Sequence, residues 1–165
     1  MPQYDREHQI AVHNLLLQCF IVFACLSLLL LFTELFGGIA IASLGASCFI
    51  LFITPHTASS QARNVLGGYL CGACVGVFFG ITYSQLLGSI LFEMDFALVL
   101  TSAAAAAFTA FLMTSMKLVH PPAAALALGL AADLNCLVTA LAAIVSILVL
   151  CLIRNALSSR LKNLV

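Results

Sequence analysis

The sequence contains very few charged residues. Only 7% of its 165 residues are Asp, Glu, Lys or Arg, whereas 64% are hydrophobic and the mean hydropathy is +1.19. A soluble domain usually carries about 25% charged residues, because they cover the surface that faces water. The shortage of charge excludes a soluble globular protein and predicts that a lipid bilayer is the main solvent of this chain.

The sequence also lacks a net charge, because six basic and six acidic residues cancel. Nucleic-acid-binding proteins normally carry an excess of Lys and Arg that pairs with phosphates, so we expect no nucleic-acid partner. His, Cys, Asp and Glu nowhere have the spacing of zinc ligands. A hydrolase built on Ser59, Ser60 and His120 is disfavoured, because every acid except Asp5 and Glu7 lies on the opposite predicted side of the membrane. We therefore expect neither an enzyme nor a bound metal or cofactor.

Cysteine, by contrast, is frequent. The seven cysteines lie in apolar stretches, at positions 19, 25, 48, 71, 74, 136 and 151. A free thiol in such surroundings behaves as a small hydrophobic side chain. Cys71 and Cys74 have the C-x-x-C spacing of redox proteins, but a redox pair needs a polar, partly exposed setting. We interpret all seven as packing residues.

Six apolar segments follow one another along the chain, at about 10–33, 38–54, 64–90, 96–116, 122–132 and 136–154. Because a helix needs about 20 apolar residues to cross a bilayer, the pattern predicts an all-α polytopic membrane protein with six transmembrane segments. The fifth is too short to cross and is short or broken at the turn His120–Pro122. Broken helices are the best sequence indication of a transport site. Asn135 is expected to cap the sixth helix.

The distribution of charge supports this count. With the N-terminus in the cytoplasm, six segments place every basic residue inside, at positions 6, 63, 117, 154, 160 and 162. This agrees with the positive-inside rule. A five-segment alternative would fuse 122–154 and leave Asp133 and Asn135 in mid-bilayer. We expect the bacterial plasma membrane, with short cytoplasmic tails at 1–9 and 155–165. No small-residue cleavage site follows the first segment, which is expected to be retained.

The turn after the fourth segment contains Lys117 and His120-Pro121-Pro122. Proline disfavours helix in the residue before it but suits the first position of a new helix. The next N–H groups, those of Ala123–Ala125, are expected to lack partners within the helix. Bare N–H groups at a helix N-terminus bind anions. The alternative is a plain proline turn with an interfacial lysine.

A second predicted cytoplasmic turn, at 54–64, contains hydroxyl and amide side chains and Arg63. A guanidinium can hold an oxyanion through two parallel hydrogen bonds. Arg63 could instead serve only as a topology anchor. Both turns lie on the same predicted face, so we expect them to converge. The candidate substrate-binding residues are Gln61, Arg63, Asn64, Lys117, His120, Pro121, Pro122, Ala123 and Ala124.

A stripe of glycines runs along the third segment, at Gly68, Gly72, Gly76 and Gly80. Such a stripe lets helix backbones approach closely in membranes. It could pack within one chain, where Ala103–Ala107 offer a matching surface, or form a subunit interface.

At the two turns the sequence resembles the HPP family of integral membrane proteins. His120-Pro121-Pro122 matches the motif that names the family. A second block matches at Gly45, Ala46, Ser47, Pro55, Gln61, Arg63, Asn64, Gly67 and Gly68, and the resemblance covers about 38–155. Family members commonly have Pro, His and Gly where this chain has Ala62, Tyr69 and Ala123. The resemblance implies one transmembrane domain over 1–165, and nitrite transport is attributed to cyanobacterial and chloroplast members.

These patterns lead to the hypothesis of a transporter or channel for a small inorganic anion, with nitrite as the best single choice. Arg63 would hold the anion, while Gln61 and Asn64 would donate hydrogen bonds or shape the turn. His120 would be a donor or a pH-sensitive gate. The alternative is a non-transporting membrane module that binds or regulates a partner through the glycine stripe. The small size favours a homo-oligomer.

Overall fold

The computed structural model describes residues 3–34, 41–87 and 95–164, and this part of the chain contains six α-helices and no strand. The helices are α1 (Gln3–Glu34), α2 (Ile41–Ile53), α3 (Ala62–Thr82), α4 (Asp95–Ser115), α5 (Pro122–Ala131) and α6 (Cys136–Leu157). A π-helical turn, Tyr83–Leu87, follows α3. The all-α prediction with six segments is confirmed. The separation of α5 from α6 shows that the five-segment alternative is wrong.

Four of the helices, namely α1, α3, α4 and α6, are long and apolar enough to cross a membrane. The other two are short, because α2 has 13 residues and α5 has 10. At 1.5 Å per residue, α5 reaches about 15 Å, which is half of the hydrocarbon thickness of about 30 Å. The short fifth segment is therefore confirmed.

The short helix α5 lies in the middle of the bundle. It packs against α3 and α4, and also contacts α2 and α6, whereas α1 packs mainly against α2. Ala123, Leu126, Ala127 and Leu130 are each at most 2% exposed. Irregular backbone at membrane depth is tolerated where protein surrounds it. The turns at the two ends of α5 can therefore lie within the membrane domain.

The glycine stripe of α3 faces α5 of the same chain. A Cβ atom at Gly76 would lie 2.9 Å from the Ala127 carbonyl oxygen, and one at Gly72 would overlap the Ala123 carbonyl oxygen. At Gly80 it would lie 2.8 Å from the carbonyl oxygen of Leu130. The stripe is thus used within the chain, with α5 rather than Ala103–Ala107 as its main partner. Of the two alternatives for the stripe, packing within the chain is therefore the one that the contacts with α5 support.

Helix α4 ends in a tight turn at Lys117, the only non-glycine residue of the described chain with a positive φ, 54°. The Lys117 N–H donates to Thr114 O at 3.2 Å, and the Leu118 N–H donates to Met113 O at 2.8 Å. These two bonds form a Schellman motif, which usually has glycine at the left-handed position. Leu118 then packs onto Gly67, where an added Cβ would lie 2.9 Å from Leu118 Cδ1.

Helix α6 begins at a local cap that Asp133 provides. One Asp133 carboxylate oxygen accepts the Asn135 N–H at 2.9 Å, and the other accepts the Thr139 hydroxyl. Asn135 is at the N-cap position, as predicted, but its side chain makes no capping bond. The cap of α6 is thus at the predicted position, but the Asp133 side chain provides it instead of that of Asn135.

The C-terminal segment ties several elements together at one end of the bundle. Leu164 N–H donates to Ile53 O at 3.1 Å, and His56 N–H donates to the Asn163 side chain at 3.0 Å. Gln18 of α1 donates to the carbonyl oxygens of Phe52 and Lys162 at 2.7 and 2.8 Å. We call this the basic end, because it carries Arg63, Lys117, Arg154, Arg160 and Lys162.

Candidate functional site

The two turns that were expected to converge do meet, through the side chain of His120. His120 Nδ1 lies 2.8 Å from the carbonyl oxygen of Ser59. A carbonyl oxygen only accepts hydrogen bonds, so Nδ1 must carry the hydrogen and donate it. The contact joins the α4–α5 turn to the short 3-10 helix Ala58–Ser60 that precedes α3.

The other nitrogen of His120 faces a row of buried hydroxyl groups. Nε2 lies 2.9 Å from Ser47 Oγ, Ser47 Oγ lies 2.8 Å from the Tyr69 hydroxyl, and Tyr69 lies 2.8 Å from Ser43 Oγ. His120, Ser47 and Tyr69 are 0% exposed, and Ser43 is 2% exposed. We call these four side chains the buried polar chain. It joins α2, α3 and the α4–α5 turn inside an otherwise apolar core.

The burial of His120 changes its expected role. Both ring nitrogens contact protein atoms, so neither is free to donate to an anion in this structure. Burial lowers the pKa of His120 below its ordinary value of 6.5, and the hydrogen bond to Ser59 opposes that effect. The neutral ring is therefore favoured near neutral pH. The two predicted roles of His120, a hydrogen-bond donor to the substrate or a pH-sensitive gate, stay predictions.

The N-terminus of α5 also differs from the prediction of bare N–H groups. Ala123 N–H donates to His120 O at 3.0 Å, and Ala124 N–H donates to Pro121 O at 3.1 Å. These bonds form because Pro121 itself adopts helical dihedral angles, φ −52° and ψ −36°. Pro122 and Ala123 are buried. An anion therefore finds neither bare donors nor an open approach at Ala123 and Ala124.

The residues of the second turn divide into exposed and structural ones. Gln61, Arg63 and Lys117 are exposed at the basic end, as is Pro121. The Asn64 side chain donates to Ala58 O at 2.8 Å, so it shapes the turn, which is one of its two predicted roles. Gln61 is at the N-cap position of α3 but its side chain makes no capping bond.

Arg154, in the last turn of α6, is a candidate that the sequence argument treated only as a topology marker. Its Nη2 donates to the carbonyl oxygen of Pro55, while its Nε is buried and has no hydrogen-bond partner among the described residues. The guanidinium lines a cavity of about 430 Å³. The walls of this cavity are Leu51, Ser60, Ala62, Leu66, Leu148, Cys151, Leu152, Arg154 and Asn155.

The Arg154 cavity has one strongly polar corner. Ser60 shares the carbonyl oxygen of Pro55 with Arg154, donating to it at 2.6 Å, and most other lining residues are aliphatic. A second, smaller cavity of about 210 Å³ between α3 and α6 is also lined by Leu66 and Leu148. The sequence signal for Arg154 was its place at the end of the most apolar segment, but the side-chain direction depends on how α6 packs.

Comparison with known proteins gives one clear result. The family model described as "HPP, transmembrane region" matches residues 7–164, which include both turns and the buried polar chain. The comparisons with curated proteins and with solved structures give no significant match.

Proposed function

The chain belongs to the HPP family of integral membrane proteins, and from this premise we propose that it is a transporter or channel for a small inorganic anion. Nitrite is our first choice, because the family resemblance implies it and because its size and planar shape suit a guanidinium. The proposal rests on the Arg154 cavity, which combines a cation with a largely apolar wall.

The chemistry of this cavity favours an oxyanion. A guanidinium offers several N–H donors in one plane, and in the described part of the chain that of Arg154 makes one hydrogen bond, from Nη2 to the carbonyl oxygen of Pro55. Apolar walls lower the local dielectric constant and strengthen the attraction between the cation and an anion. A volume of about 430 Å³ admits a small anion together with several waters, since one water occupies about 30 Å³.

Arg63 and Lys117 have a different role in this proposal. Both are exposed, so each remains hydrated and holds an anion only weakly. Exposed cations of one sign nevertheless raise the local anion concentration and the rate of encounter. We assign Arg63 and Lys117 to attraction of the anion, with Gln61 beside them, and Arg154 to its binding inside the domain.

The alternative function is a module that binds a partner through the glycine stripe. In this structure the stripe is covered by α5 and is not available to a partner. The stripe is packed against the backbone of α5, so no row of small residues faces outwards there. No other observation on the described residues favours a partner-binding module, and transport remains the function that the geometry supports best.

Nitrite entry into proteoliposomes tests the proposal. We expect saturable entry with the native protein, at least a tenfold loss in Arg154→Gln, and partial retention in Arg154→Lys, which keeps the charge but not the planar donors. Arg160→Gln is the matched control, since Arg160 is an exposed cation at the same end. Arg63→Ala should raise KM, most strongly at low salt.

Entry no faster than in empty vesicles, with folded protein verified, would refute transport of nitrite. Equal loss in Arg154→Gln and Arg160→Gln would refute the assignment of the site to Arg154. Unchanged entry in Arg154→Gln would have the same consequence.

We also propose that the protein lies in a bacterial plasma membrane with the basic end in the cytoplasm. The excess of Lys and Arg at that end supports this orientation. Reporter fusions at the C-terminus and within residues 88–94 should report opposite sides. The same side for both would contradict the proposal.

A further inference from the structure

The chemistry of the partners of His120 determines which atom donates in each of its hydrogen bonds. His120 Nδ1 must donate to Ser59 O, so in the neutral ring Nε2 has no hydrogen and must accept one. The only polar atom bonded to Nε2 in the described structure is Ser47 Oγ, at 2.9 Å. Ser47 must therefore donate to the neutral histidine.

Ser47 has a second acceptor within reach. Its Oγ lies 3.0 Å from the carbonyl oxygen of Ser43, one helical turn earlier, as well as 2.9 Å from His120 Nε2. A hydroxyl has a single hydrogen and can satisfy only one of these acceptors at a time. If Nε2 gains a proton, it donates to Ser47 Oγ, and the Ser47 hydrogen turns to the Ser43 carbonyl. The same atoms therefore satisfy both the neutral and the protonated ring.

This property is unusual for a buried histidine. A buried polar group without a partner is costly, so a histidine whose Nε2 faced a fixed donor or a fixed acceptor would be held in one protonation state. Here the partner of Nε2 is a hydroxyl that can either donate or accept. From this geometry we propose that His120 is a reversible proton-binding site inside the membrane domain, supplied through the hydroxyl groups of Ser43, Tyr69 and Ser47.

One proton can pass along the buried polar chain with every atom accounted for. In the neutral state Ser43 donates to Tyr69, Tyr69 donates to Ser47, and Ser47 donates to His120 Nε2. A proton that arrives at Ser43 Oγ lets each hydroxyl pass its own hydrogen to the next oxygen, and the Ser47 hydrogen forms the new Nε2–H bond. Each hydroxyl ends with one hydrogen, the Ser47 hydrogen then turns to the Ser43 carbonyl oxygen, and His120 becomes the imidazolium. Release is the same sequence in reverse.

Among the described residues, few titratable or charged groups lie near His120. Tyr69 from α3 faces the ring, with centroids 5.6 Å apart, and Cys48 of α2 and Cys151 of α6 lie beside Tyr69. Met113 from α4 and Ala123 from α5 lie beside His120 at Gly68 of α3, and neither side chain titrates. From the turn before α3 comes only the Ser59 carbonyl. Within the described residues no carboxylate is found to act on His120, so the hydroxyl chain supplies its proton.

A proton site at His120 would allow the protein to couple anion transport to proton movement, a consequence that rests on the proposed function. A protonated His120 places a positive charge within the membrane domain at the moment an anion is bound. We expect one proton to accompany each nitrite, and flux to rise as the pH falls through the lowered pKa of His120, below 6.5. His120→Gln should abolish this dependence on pH.

Nitrogen NMR of protein with ¹⁵N-labelled histidine, in lipid nanodiscs, tests the proton site without any transport. The His120 signals are identified by their loss in His120→Gln. We expect hydrogen on Nδ1 and none on Nε2 at alkaline pH, and a reversible change to the imidazolium at acid pH with the fold retained. A ring that carries its hydrogen on Nε2, or that stays neutral until the protein unfolds, would overturn the proposal.

The supply route is tested by the rate at which His120 exchanges its proton with solvent. Tyr69→Phe removes only the hydroxyl that links Ser43 to Ser47 and should slow this exchange at least tenfold. Thr109→Val is the matched control, because Thr109 is also 0% exposed but bonds only to the Ala105 carbonyl of its own helix. Equal exchange rates in Tyr69→Phe and the native protein would refute the route through the hydroxyls.

A dye that reports the pH inside the proteoliposomes tests the coupling to nitrite. Acidification that accompanies nitrite entry, in excess of empty vesicles, and that disappears in His120→Gln would support it. Nitrite entry without protein-dependent acidification would refute the coupling. If no nitrite enters at all, the proposed function fails, while the NMR result still decides the proton site.

Discussion

Each of the two turns that flank α5 has a polar side chain that forms hydrogen bonds, His120 before the helix and Asp133 after it, and the two bond in opposite ways. At the basic end, His120 is fully buried and bonds to Ser59 and Ser47, which are 61 and 73 residues away in sequence. At the other end, Asp133 is partly exposed, and among the described residues its side chain bonds to Asn135 and Thr139, two and six residues away. One turn holds several helices together, whereas the other caps a single helix.

The difference distinguishes a turn that serves local structure from one whose burial needs another explanation. A local cap needs no burial, because its hydrogen bonds form wherever the helix begins. A buried polar network has a large desolvation cost, which it recovers only when every member is bonded. The chain meets that cost around His120 and not around Asp133. We therefore place the chemistry of the protein at the basic end.

The largest expected effect concerns the contact that brings α5 beside the buried polar chain. Gly72→Ala would place a Cβ atom against the Ala123 carbonyl oxygen, so α3 and α5 must move apart. We expect a loss of about 3 kcal/mol of stability or no folded protein, since overpacking of a tight contact costs about 1–3 kcal/mol or more. Thermal unfolding in detergent measures the change.

Gly45→Ala is the control for this substitution. A Cβ atom at Gly45 meets nothing within 4 Å, so stability should stay the same or rise slightly. If Gly72→Ala is tolerated as well as Gly45→Ala, the close packing of α3 on α5 is not as described.

The second effect compares the two turns directly. His120→Ala leaves the half-buried Ser59 carbonyl without its donor and deprives the buried Ser47 hydroxyl of a partner. We expect a loss of about 2–4 kcal/mol, because each unsatisfied buried group costs about 1–3 kcal/mol. Unfolding by heat at pH 8, where the ring is neutral, gives the value. A loss below that of the Asp133 variant would contradict the contrast between the two turns.

The smallest effect is expected at the other turn. Asp133→Ala removes the acceptor of the Asn135 N–H and of the Thr139 hydroxyl at the start of α6. Loss of such a cap typically costs about 1 kcal/mol. The same unfolding experiment measures it, and nitrite entry should remain close to that of the native protein. A large loss of entry would show that this end also takes part in transport.

The sequence alone was sufficient for the elements and insufficient for their contacts. Apolar runs predicted six helices, and the spacing between Pro122 and Asn135 predicted that α5 is short. Which helix packs on the glycine stripe, and where the Arg154 side chain points, depend on how the helices are rotated about their axes. The spacing of apolar residues in the sequence does not determine that rotation. Ser43 and Ser47 resemble ordinary small residues of an apolar helix until Tyr69 and His120 are seen beside them.

The error at the N-terminus of α5 has a local cause. Two successive prolines predicted a sharp break with bare N–H groups after it. Pro121 instead adopts helical angles, so His120 O and Pro121 O accept the first two N–H groups. The rule that disfavours helix before proline is a preference, and the packing of Ala123 against α3 outweighs it here.

The central claim is that an anion passes through the basic end and is held by Arg154. The most direct test is nitrite entry into proteoliposomes that contain the native protein, Arg154→Gln or Arg160→Gln, beside empty vesicles. The account predicts saturable entry that is lost in Arg154→Gln and retained in Arg160→Gln. Entry equal to that of empty vesicles, or equal entry in the native protein and Arg154→Gln, would contradict it.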